Sequence, residues 1–269
     1  MRCYELNGGF GFDHFQLAER PNPQPGPGEV LVRVRAVSLN YRDLLIVRGL
    51  YNPKLPMPRV LASDGAGEVV AIGSGVTRFR PGDRVAAGFM QGWLGGELDD
   101  AAARTALGGD LDGMLSEQVV FHEQGWVRLP DHLSFEEGAT LPCAALTAWH
   151  AVVECGIEPG DTVLTQGTGG VSLFAVQFAK SAGARVIITS SSDDKLHRAH
   201  ELGAHEGINY RSTPDWDKRV RELTNRRGVD QVVELGGANT LPQSLRAVRT
   251  GGRINLIGVL AGADGEFNP

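Results

Sequence analysis

One segment of the chain joins an apolar strand directly to a glycine-rich turn and then to an apolar helix. DTVLTQ (161–166) is typical of a buried strand, Gly167-Thr168-Gly169-Gly170 forms the turn, and GVSLFAVQFAKSAG (170–183) has helical periodicity. Glycines let a backbone approach a pyrophosphate, and a helix N-terminus offers free N–H groups and the positive end of the helix dipole. We therefore predict that this turn, with Val171 at the start of the helix, binds a dinucleotide.

The motif matches two of the three glycines of the dinucleotide-binding fingerprint. Ser172 stands where the third glycine allows close packing of helix on strand, so we expect a slightly looser contact there. Alone the motif is weak, and an incidental glycine turn is the alternative. The strands that follow, interleaved with helical segments, strengthen the interpretation; they are RVIITS, GINY, DQVVELGG and RINLIGVL. Such βαβ repeats predict an α/β fold, a doubly wound Rossmann domain with a parallel sheet, which we place at residues 129–269.

The residues after the second strand of this domain distinguish between the two nicotinamide cofactors. An NAD site places an acid there to bind the ribose 2′-hydroxyl. Here Ser190 and Ser191 offer hydroxyls and Lys195 offers a charge, a set that suits a 2′-phosphate and favours NADPH. Two alternatives stay open: Ser192 or Asp193 caps the next helix, and Asp193 or Asp194 turns inward and repels the phosphate.

The carboxyl ends of the later strands also face the ligand crevice of such a sheet. DQVVELGG ends with Gly236-Gly237, and Ile257, Gly258 and Val259 end the strand within RINLIGVL. We predict that these residues contact the cofactor and that the backbone at 257–259 binds its carboxamide.

The first half of the chain has a different pattern. Val30, Val32, Val34 and Ala36 alternate as in a half-buried strand, and the turn at 81–83 leads into another. We predict a β-rich domain over residues 1–128. The polar, glycine-punctuated stretch from 88 to 113 is long for a plain connection and is typical of a functional loop.

Composition excludes several classes. The net charge of −6 with no basic run argues against nucleic acid, and no segment reaches the length of a membrane span. Three cysteines without a C-x-x-C motif exclude a disulfide framework and a zinc ribbon. We expect a cytoplasmic protein acting on a small molecule.

Several motifs resemble the medium-chain dehydrogenase/reductase superfamily, in its zinc-free branch of quinone-oxidoreductase-like and alcohol dehydrogenase-like proteins. They are NYRDL, LASDGAGEVV, PGDRV, LPCAALTAW and QGTGGVSLFAVQFAK. Ser63 stands where the zinc signature G-H-E has its histidine, and Asn40 where a cysteine ligand would be. Only Cys143 keeps a ligand type, while catalytic zinc needs three protein ligands. We therefore expect no catalytic metal, with a vestigial ion through Cys143 and Asp64 as the alternative.

The resemblance implies a GroES-like first domain, a Rossmann second domain, a cleft between them, and a homodimer. It implies that Asn40 and Tyr51 line the substrate side, that Thr147 touches the cofactor, and that Tyr210 lies near the 2′-phosphate. Asn40 as a turn cap and Tyr51 as a packed turn residue are the alternatives. Family members continue with a further Rossmann strand, so we expect a bare sheet edge here, with consequences for stability, dimerisation and activity.

Without zinc, hydride transfer to an enone or quinone is less demanding than alcohol oxidation, because such acceptors delocalise the developing charge. We predict an NADPH-dependent reductase of activated C=C or quinone acceptors. A zinc-free alcohol or aldehyde oxidoreductase, or an NADPH-binding protein without turnover, are the alternatives.

Overall fold

The computed structural model describes residues 1–262. The chain divides into two compact units, Met1–Cys143 and Ala144–Pro269. The domain boundary expected between residues 128 and 129 falls at the end of the strand Trp126–Arg128 and stays a prediction. No helix among the described residues is long and apolar enough to cross a membrane.

The first unit is β-rich, as predicted. A three-stranded sheet has the order β2 (Phe15–Glu19), β1 (Arg2–Leu6), β4 (Arg59–Val60). An antiparallel five-stranded sheet has the order β7 (Gln118–His122), β3 (Glu29–Ser38), β5 (Asp64–Ile72), β6 (Arg84–Ala87), β8 (Trp126–Arg128). The helices of this unit are α1 (Tyr41–Val47), α2 (Asp100–Ala103) and α3 (Phe135–Ala139), with 3₁₀ turns at Phe12–His14 and Glu123–Gly125.

Alternation along β3 builds the core of this unit. Val30 and Val32 are fully buried and pack with Val69, Val85 and Trp126. The inward side of the strand is therefore the one that the sequence predicted.

The long loop from 88 to 113 is folded rather than extended. It carries α2 and returns beside β4, where the Gly113 N–H donates to the Val60 carbonyl at 2.8 Å. A Cβ at Gly113 would lie 2.2 Å from the Ala62 carbonyl oxygen, so only glycine fits. The end of the loop is therefore held against β4 and the residues that follow it, directly before Ser63 and Asp64.

The second unit is a parallel five-stranded sheet with the predicted alternation of strands and helices. Its order is β11 (Glu206–Asn209), β10 (Arg185–Ser190), β9 (Thr162–Gln166), β12 (Val229–Glu234), β13 (Val248–Leu256). Its helices are α4 (Leu146–Trp149), α5 (Gly170–Ser181), α6 (Asp193–Leu202), α7 (Trp216–Leu223) and α8 (Leu241–Ala247). Two π-helical turns, Leu141–Ala145 and His150–Glu154, flank α4.

Both faces of the parallel sheet are covered, as a doubly wound fold requires. Consecutive residues of a strand point to opposite faces of the sheet. In β9 and β10, residues on both faces are buried. Val163 and Val186 pack with α5 and α6, whereas their neighbours Leu164 and Ile187 pack with α7 and α8. The fold class predicted from the sequence is confirmed.

Small residues form the buried face of α5. Val171, Phe174, Phe178 and Ala182, which share one face of the helix by their spacing, are only partly buried. The buried residues are Ser172, Ala175, Val176 and Ala179. Small side chains let the helix approach the sheet closely, and the larger rings lie at its flank, where Trp149 meets Phe178 edge-on at 5.4 Å.

Candidate functional site

The glycine turn presents bare backbone at the carboxyl end of β9. Gly167 has a φ of +73°, and a Cβ at Gly167 or at Gly169 would meet no heavy atom of the described residues within 4 Å. Gly169 is the N-cap of the twelve-residue helix α5 and has no side chain to occupy its first-turn N–H groups. Space above the turn and unblocked donors at a helix N-terminus are what a pyrophosphate requires.

Ser172 ties the helix to the strand rather than loosening the contact as expected. It is fully buried, and its hydroxyl donates to the Gln166 carbonyl at 2.6 Å. This hydrogen bond joins the last residue of β9 to the first turn of α5. The serine therefore links helix and strand by a hydrogen bond, where the fingerprint uses the close packing of a glycine.

A buried polar cluster lies beneath the next strand end. The Glu234 carboxylate, fully buried, accepts the Gln166 amide at 2.6 Å, the Thr240 hydroxyl at 2.6 Å and the Ser244 hydroxyl. It also accepts the N–H groups of Gly236 and Gly237 at 2.9 and 3.0 Å. The carboxylate therefore fixes the Gly236-Gly237 turn and ties it to the end of β9.

Four of the residues predicted at the strand ends lie together or close by. Gly237, Ile257, Gly258 and Val259 line a cavity of about 260 Å³ at the carboxyl ends of β12 and β13. Gly258 is required, because a Cβ there would lie 2.4 Å from the Leu235 carbonyl oxygen. Gly236 is the neighbour of this lining and is held by Glu234. The cavity lies at the sheet edge where a doubly wound fold binds its ligand.

The end of β10 carries the residues predicted to distinguish the cofactors. Ser190 is only 2% exposed; its hydroxyl lies 3.3 Å from that of Thr168 and accepts the Ser192 N–H. Its hydroxyl is thus used inside the protein, while Ser191 is half-buried and Lys195 exposed. Ser192 is the N-cap of α6, as one sequence alternative held.

The side chain of Asp193 is held by a hydrogen bond that the sequence did not predict. The Asn209 amide donates to Asp193 Oδ1 at 2.8 Å, which fixes that carboxylate against β11. Tyr210 follows Asn209, is 42% exposed, and anchors its N–H on the Ser190 carbonyl at 3.0 Å. Tyr210, Ser191 and Lys195 are therefore grouped around the end of β10.

Thr147 lies on α4, one turn after Ala144. A Cβ at Gly170 would come 3.4 Å from the Ala144 side chain, so this segment runs beside the glycine turn. Val171 is half-buried on the first turn of α5. Both predicted residues are thus on segments that adjoin the turn.

In the first unit, Asn40 begins α1. It is the N-cap, and its N–H donates to Asp43 Oδ2 at 2.8 Å. Its side-chain nitrogen is buried and has no hydrogen-bond partner among the described residues. The Asn40 amide nevertheless lies close enough to the Asp64 carboxyl to act to lower its pKa, so Asn40 is both a cap and a member of the cluster around Asp64.

Asp64 is the centre of the cluster around Asn40. It is fully buried, and it accepts the Ser63 hydroxyl at 3.0 Å on one oxygen and the Cys143 N–H at 3.1 Å on the other. Burial raises the pKa of Asp64 to about 6. Burial, followed by the charge of Asp64, raises the pKa of the Cys143 thiol to about 12.

Tyr51 lies next to an arginine that sequence reasoning did not select. The ring is half exposed, and the Arg42 guanidinium lies over it at 4.7 Å from the ring centre. Arg42 follows Asn40 by two residues on α1. One feature of the sequence could have indicated this contact: a charged residue stands at a position of this short helix that is buried.

These elements define a nicotinamide-dependent oxidoreductase with a β-rich unit and a Rossmann unit. The sequence profile of the alcohol dehydrogenase GroES-like domain matches residues 26–131, and that of the zinc-binding dehydrogenases matches residues 170–269. A zinc-type alcohol dehydrogenase-like protein of Schizosaccharomyces pombe is 48% identical over 93% of this chain and 74% of its own.

Two solved structures extend this likeness. An NAD-dependent alcohol dehydrogenase is 42% identical with a TM-score of 0.88, over 98% of this chain and 79% of its own. The quinone oxidoreductase of Escherichia coli, solved with NADPH, is 28% identical with a TM-score of 0.84, over 100% of this chain and 76% of its own. The chain belongs to the medium-chain dehydrogenase/reductase superfamily of NAD(P)H-dependent oxidoreductases, in its quinone-oxidoreductase-like branch.

The family includes zinc enzymes, and the residues at the corresponding positions do not fit zinc. Asn40 and Ser63 carry no side chain that ligates zinc, and both Asp64 oxygens already accept hydrogen bonds, from the Ser63 hydroxyl and the Cys143 N–H. Catalytic zinc needs three protein ligands, and Cys143 and Asp64 are only two. Among residues 1–262, no three His, Cys, Asp or Glu side chains are grouped so as to hold a metal ion.

Proposed function

We propose that the protein is an NADPH-dependent reductase that transfers hydride to an activated C=C bond or a quinone without catalytic zinc. One observation carries this proposal: of the positions that hold zinc ligands in the family, Cys143 alone keeps a ligand side chain, and the buried Asp64 carboxylate beside it already accepts the Ser63 hydroxyl and the Cys143 backbone N–H. A substrate carbonyl at such a cluster would meet hydrogen-bond donors and no Lewis acid.

The hydrogen-bond donors at this site indicate the class of acceptor. An enone or quinone spreads the charge that hydride addition creates, so hydrogen bonds suffice to stabilise it. The buried Asn40 amide, which lies close to Asp64, would donate one such bond. Tyr51, half exposed with its hydroxyl free of any bond to the described residues, would donate another or pass on a proton.

The cofactor site is proposed on the Rossmann unit. The bound nicotinamide would supply the hydride. The bare turn Gly167–Gly170 with Val171 would bind the pyrophosphate, and Thr147, Gly236 and the segment 257–259 would contact the cofactor's reactive half. Ser191, Lys195 and Tyr210 would bind the 2′-phosphate, with Ser190 fixing the strand end from within.

The orientation of Asp193 supports NADPH over NADH. Its carboxylate is bonded to Asn209, so it is held by a neutral amide instead of facing a phosphate. Lys195, on the first turn of α6, has no carboxylate partner among the described residues and would pair with a dianion.

The test is a binding and metal assay on the purified chain. Calorimetric titration should give a Kd for NADPH at least about tenfold below that for NADH, and elemental analysis should find less than stoichiometric zinc. Tighter binding of NADH overturns the cofactor proposal; one bound zinc per chain overturns the zinc-free proposal. NADPH oxidation with quinones, enones and aldehydes then identifies the acceptor, and tight binding without any turnover would make the chain a binding protein.

A further inference from the structure

Arg42 is a buried cation held by aromatic rings rather than by an acid. It is 9% exposed, and its guanidinium carbon lies 4.7 Å from the ring centre of Tyr51 and 4.8 Å from that of Phe89. Its Nη1 donates to the Leu107 carbonyl at 2.9 Å. In the part of the chain that the structure describes, no carboxylate forms an ion pair with it.

The hydrogen-bonding capacity of this guanidinium is mostly unused. A guanidinium carries five N–H donors, of which the Leu107 carbonyl takes one. The buried Nε has no partner among the described residues. Buried arginines are ordinarily paired, because an uncompensated charge away from water is costly. Two ring faces compensate part of this cost, and the remaining donors are suited to an anion.

The charge of Arg42 reaches two neighbours of Asp64, Cys143 and Asp43. The guanidinium acts to lower the pKa of the Cys143 thiol, against the larger effect of burial, and it also acts to lower the pKa of Asp43. Arg42 therefore lies against Tyr51, which the proposed function places on the substrate side, and it follows the N-cap Asn40 by two residues.

We propose that Arg42 binds the negatively charged oxygen that forms on the acceptor, an enolate or phenolate, and so supplies the positive charge at this site. This proposal rests on the proposed function for the identity of the reaction, whereas the affinity for a phenolate is a property of the site itself. A planar guanidinium donates bidentately to such an oxygen, and burial strengthens the interaction relative to water.

The charge arises in the reaction as follows. A quinone that takes up hydride, two electrons with one proton, becomes the hydroquinone monoanion, and oxidised cofactor is released. With an enone, a C–H bond forms at the β-carbon, the C=C electron pair shifts to a new double bond between the α-carbon and the carbonyl carbon, and the C=O pair moves onto the oxygen to give the enolate. Water supplies the remaining proton in both cases. Arg42 stabilises the anion before that proton arrives.

The test measures binding of 4-nitrophenol without cofactor, since only its phenolate form absorbs visible light. In the unaltered protein, we expect the bound dye to titrate at lower pH than the free dye by about one unit, a tenfold preference for the phenolate. Arg42→Met should abolish this shift, and Arg42→Lys should keep part of it, because the charge remains and the planar fork is lost.

Phe89→Leu is the matched control, because it removes one stacking ring and leaves the charge. A role of Arg42 limited to holding the loop would make Phe89→Leu and Arg42→Met alike, with a lower melting temperature and no change in the dye's titration; that result overturns the proposal. A dye shift that depends on Arg42 in a chain that reduces no acceptor would refute the reductase and leave the anion site standing.

Discussion

The amide of Gln166 donates a hydrogen bond to the carboxylate of Glu234 at 2.6 Å, and both side chains are buried. Gln166 is the last residue of β9, directly before the glycine turn, and Glu234 is the last residue of β12, directly before Gly236-Gly237. One polar contact thus joins the two strand ends that our proposal places around the cofactor.

Glu234→Gln should loosen this joint. The NH₂ group of the new glutamine would face the Gln166 amide and the Ser244 hydroxyl, which now donate to the carboxylate. We expect this to lower the free energy of unfolding by about 2 kcal/mol. We also expect the Kd for NADPH to rise, because the Gln166 amide, directly before the glycine turn, and the Ser244 hydroxyl lose their acceptor oxygen. Urea unfolding and calorimetry measure the two effects. Thr240→Ser, which keeps the hydroxyl, is the control, and equal effects of the two variants would count against the role assigned to the carboxylate.

Lys195→Ala should weaken NADPH and spare NADH. Loss of a phosphate contact by an exposed lysine is expected to raise the Kd for NADPH about tenfold while the Kd for NADH stays within about twofold. Lys180→Ala, at the far end of α5, is the matched control and should change neither. Equal weakening of both cofactors by Lys195→Ala would remove this residue from the 2′-phosphate site.

Stability should depend on pH through Asp64. Its folded pKa of about 6 lies above the ordinary 3.8, so the folded chain keeps a proton that the unfolded chain releases. Stability from this group is present below the ordinary pKa and is lost as pH rises to about 6. The unfolding free energy of the unaltered chain, relative to that of Asp64→Asn, should fall by about 3 kcal/mol over this window and level off above it. A difference that does not vary with pH would contradict the raised pKa.

Asp230 should have the opposite dependence. Its buried carboxylate accepts Arg227 and Arg249, each at 2.6 Å, and the Thr162 N–H, and these hold its pKa well below 3.8 despite the burial. Its contribution is therefore present at neutral pH and declines as pH falls below the ordinary pKa.

Asp230→Asn should accordingly cost about 2 kcal/mol at neutral pH, with a smaller difference at acidic pH. Glu222→Gln breaks the exposed pair with Arg219 and serves as the control; we expect it to cost less than about 0.5 kcal/mol. Denaturant titrations at several pH values give both numbers. A loss for Asp230→Asn as small as the control's would mean that the ion pairs contribute little.

Much of the Rossmann unit could be predicted because its determinants are local. The strand, glycine turn and helix are contiguous in the sequence, and the apolar strands between helices dictate a covered parallel sheet. Ser190 shows the limit of that reasoning. It was expected to face a phosphate, but strand alternation places it with Val186 and Ile188 on the face that α5 and α6 cover.

The polar clusters could not be predicted, because their members are distant in the chain. The Glu234 cluster needs residues from β9, β12 and α8, and which strands are neighbours is fixed by sheet order rather than by spacing. Arg42 meets Tyr51, Phe89 and Leu107 through the fold of the long loop. By contrast, the changes at the zinc-ligand positions could be identified from the motifs themselves. The structure adds the hydrogen bonds that Asp64 accepts from Ser63 and Cys143.

The central claim is hydride transfer from NADPH to a conjugated acceptor without zinc. Its most direct measurement is the rate of NADPH oxidation with a quinone and an enone after dialysis against a strong zinc chelator. The account predicts turnover of both acceptors at an unchanged rate, with NADPH favoured over NADH. Activity that disappears with the chelator and returns with added zinc, or oxidation of simple alcohols as the faster reaction, would contradict it.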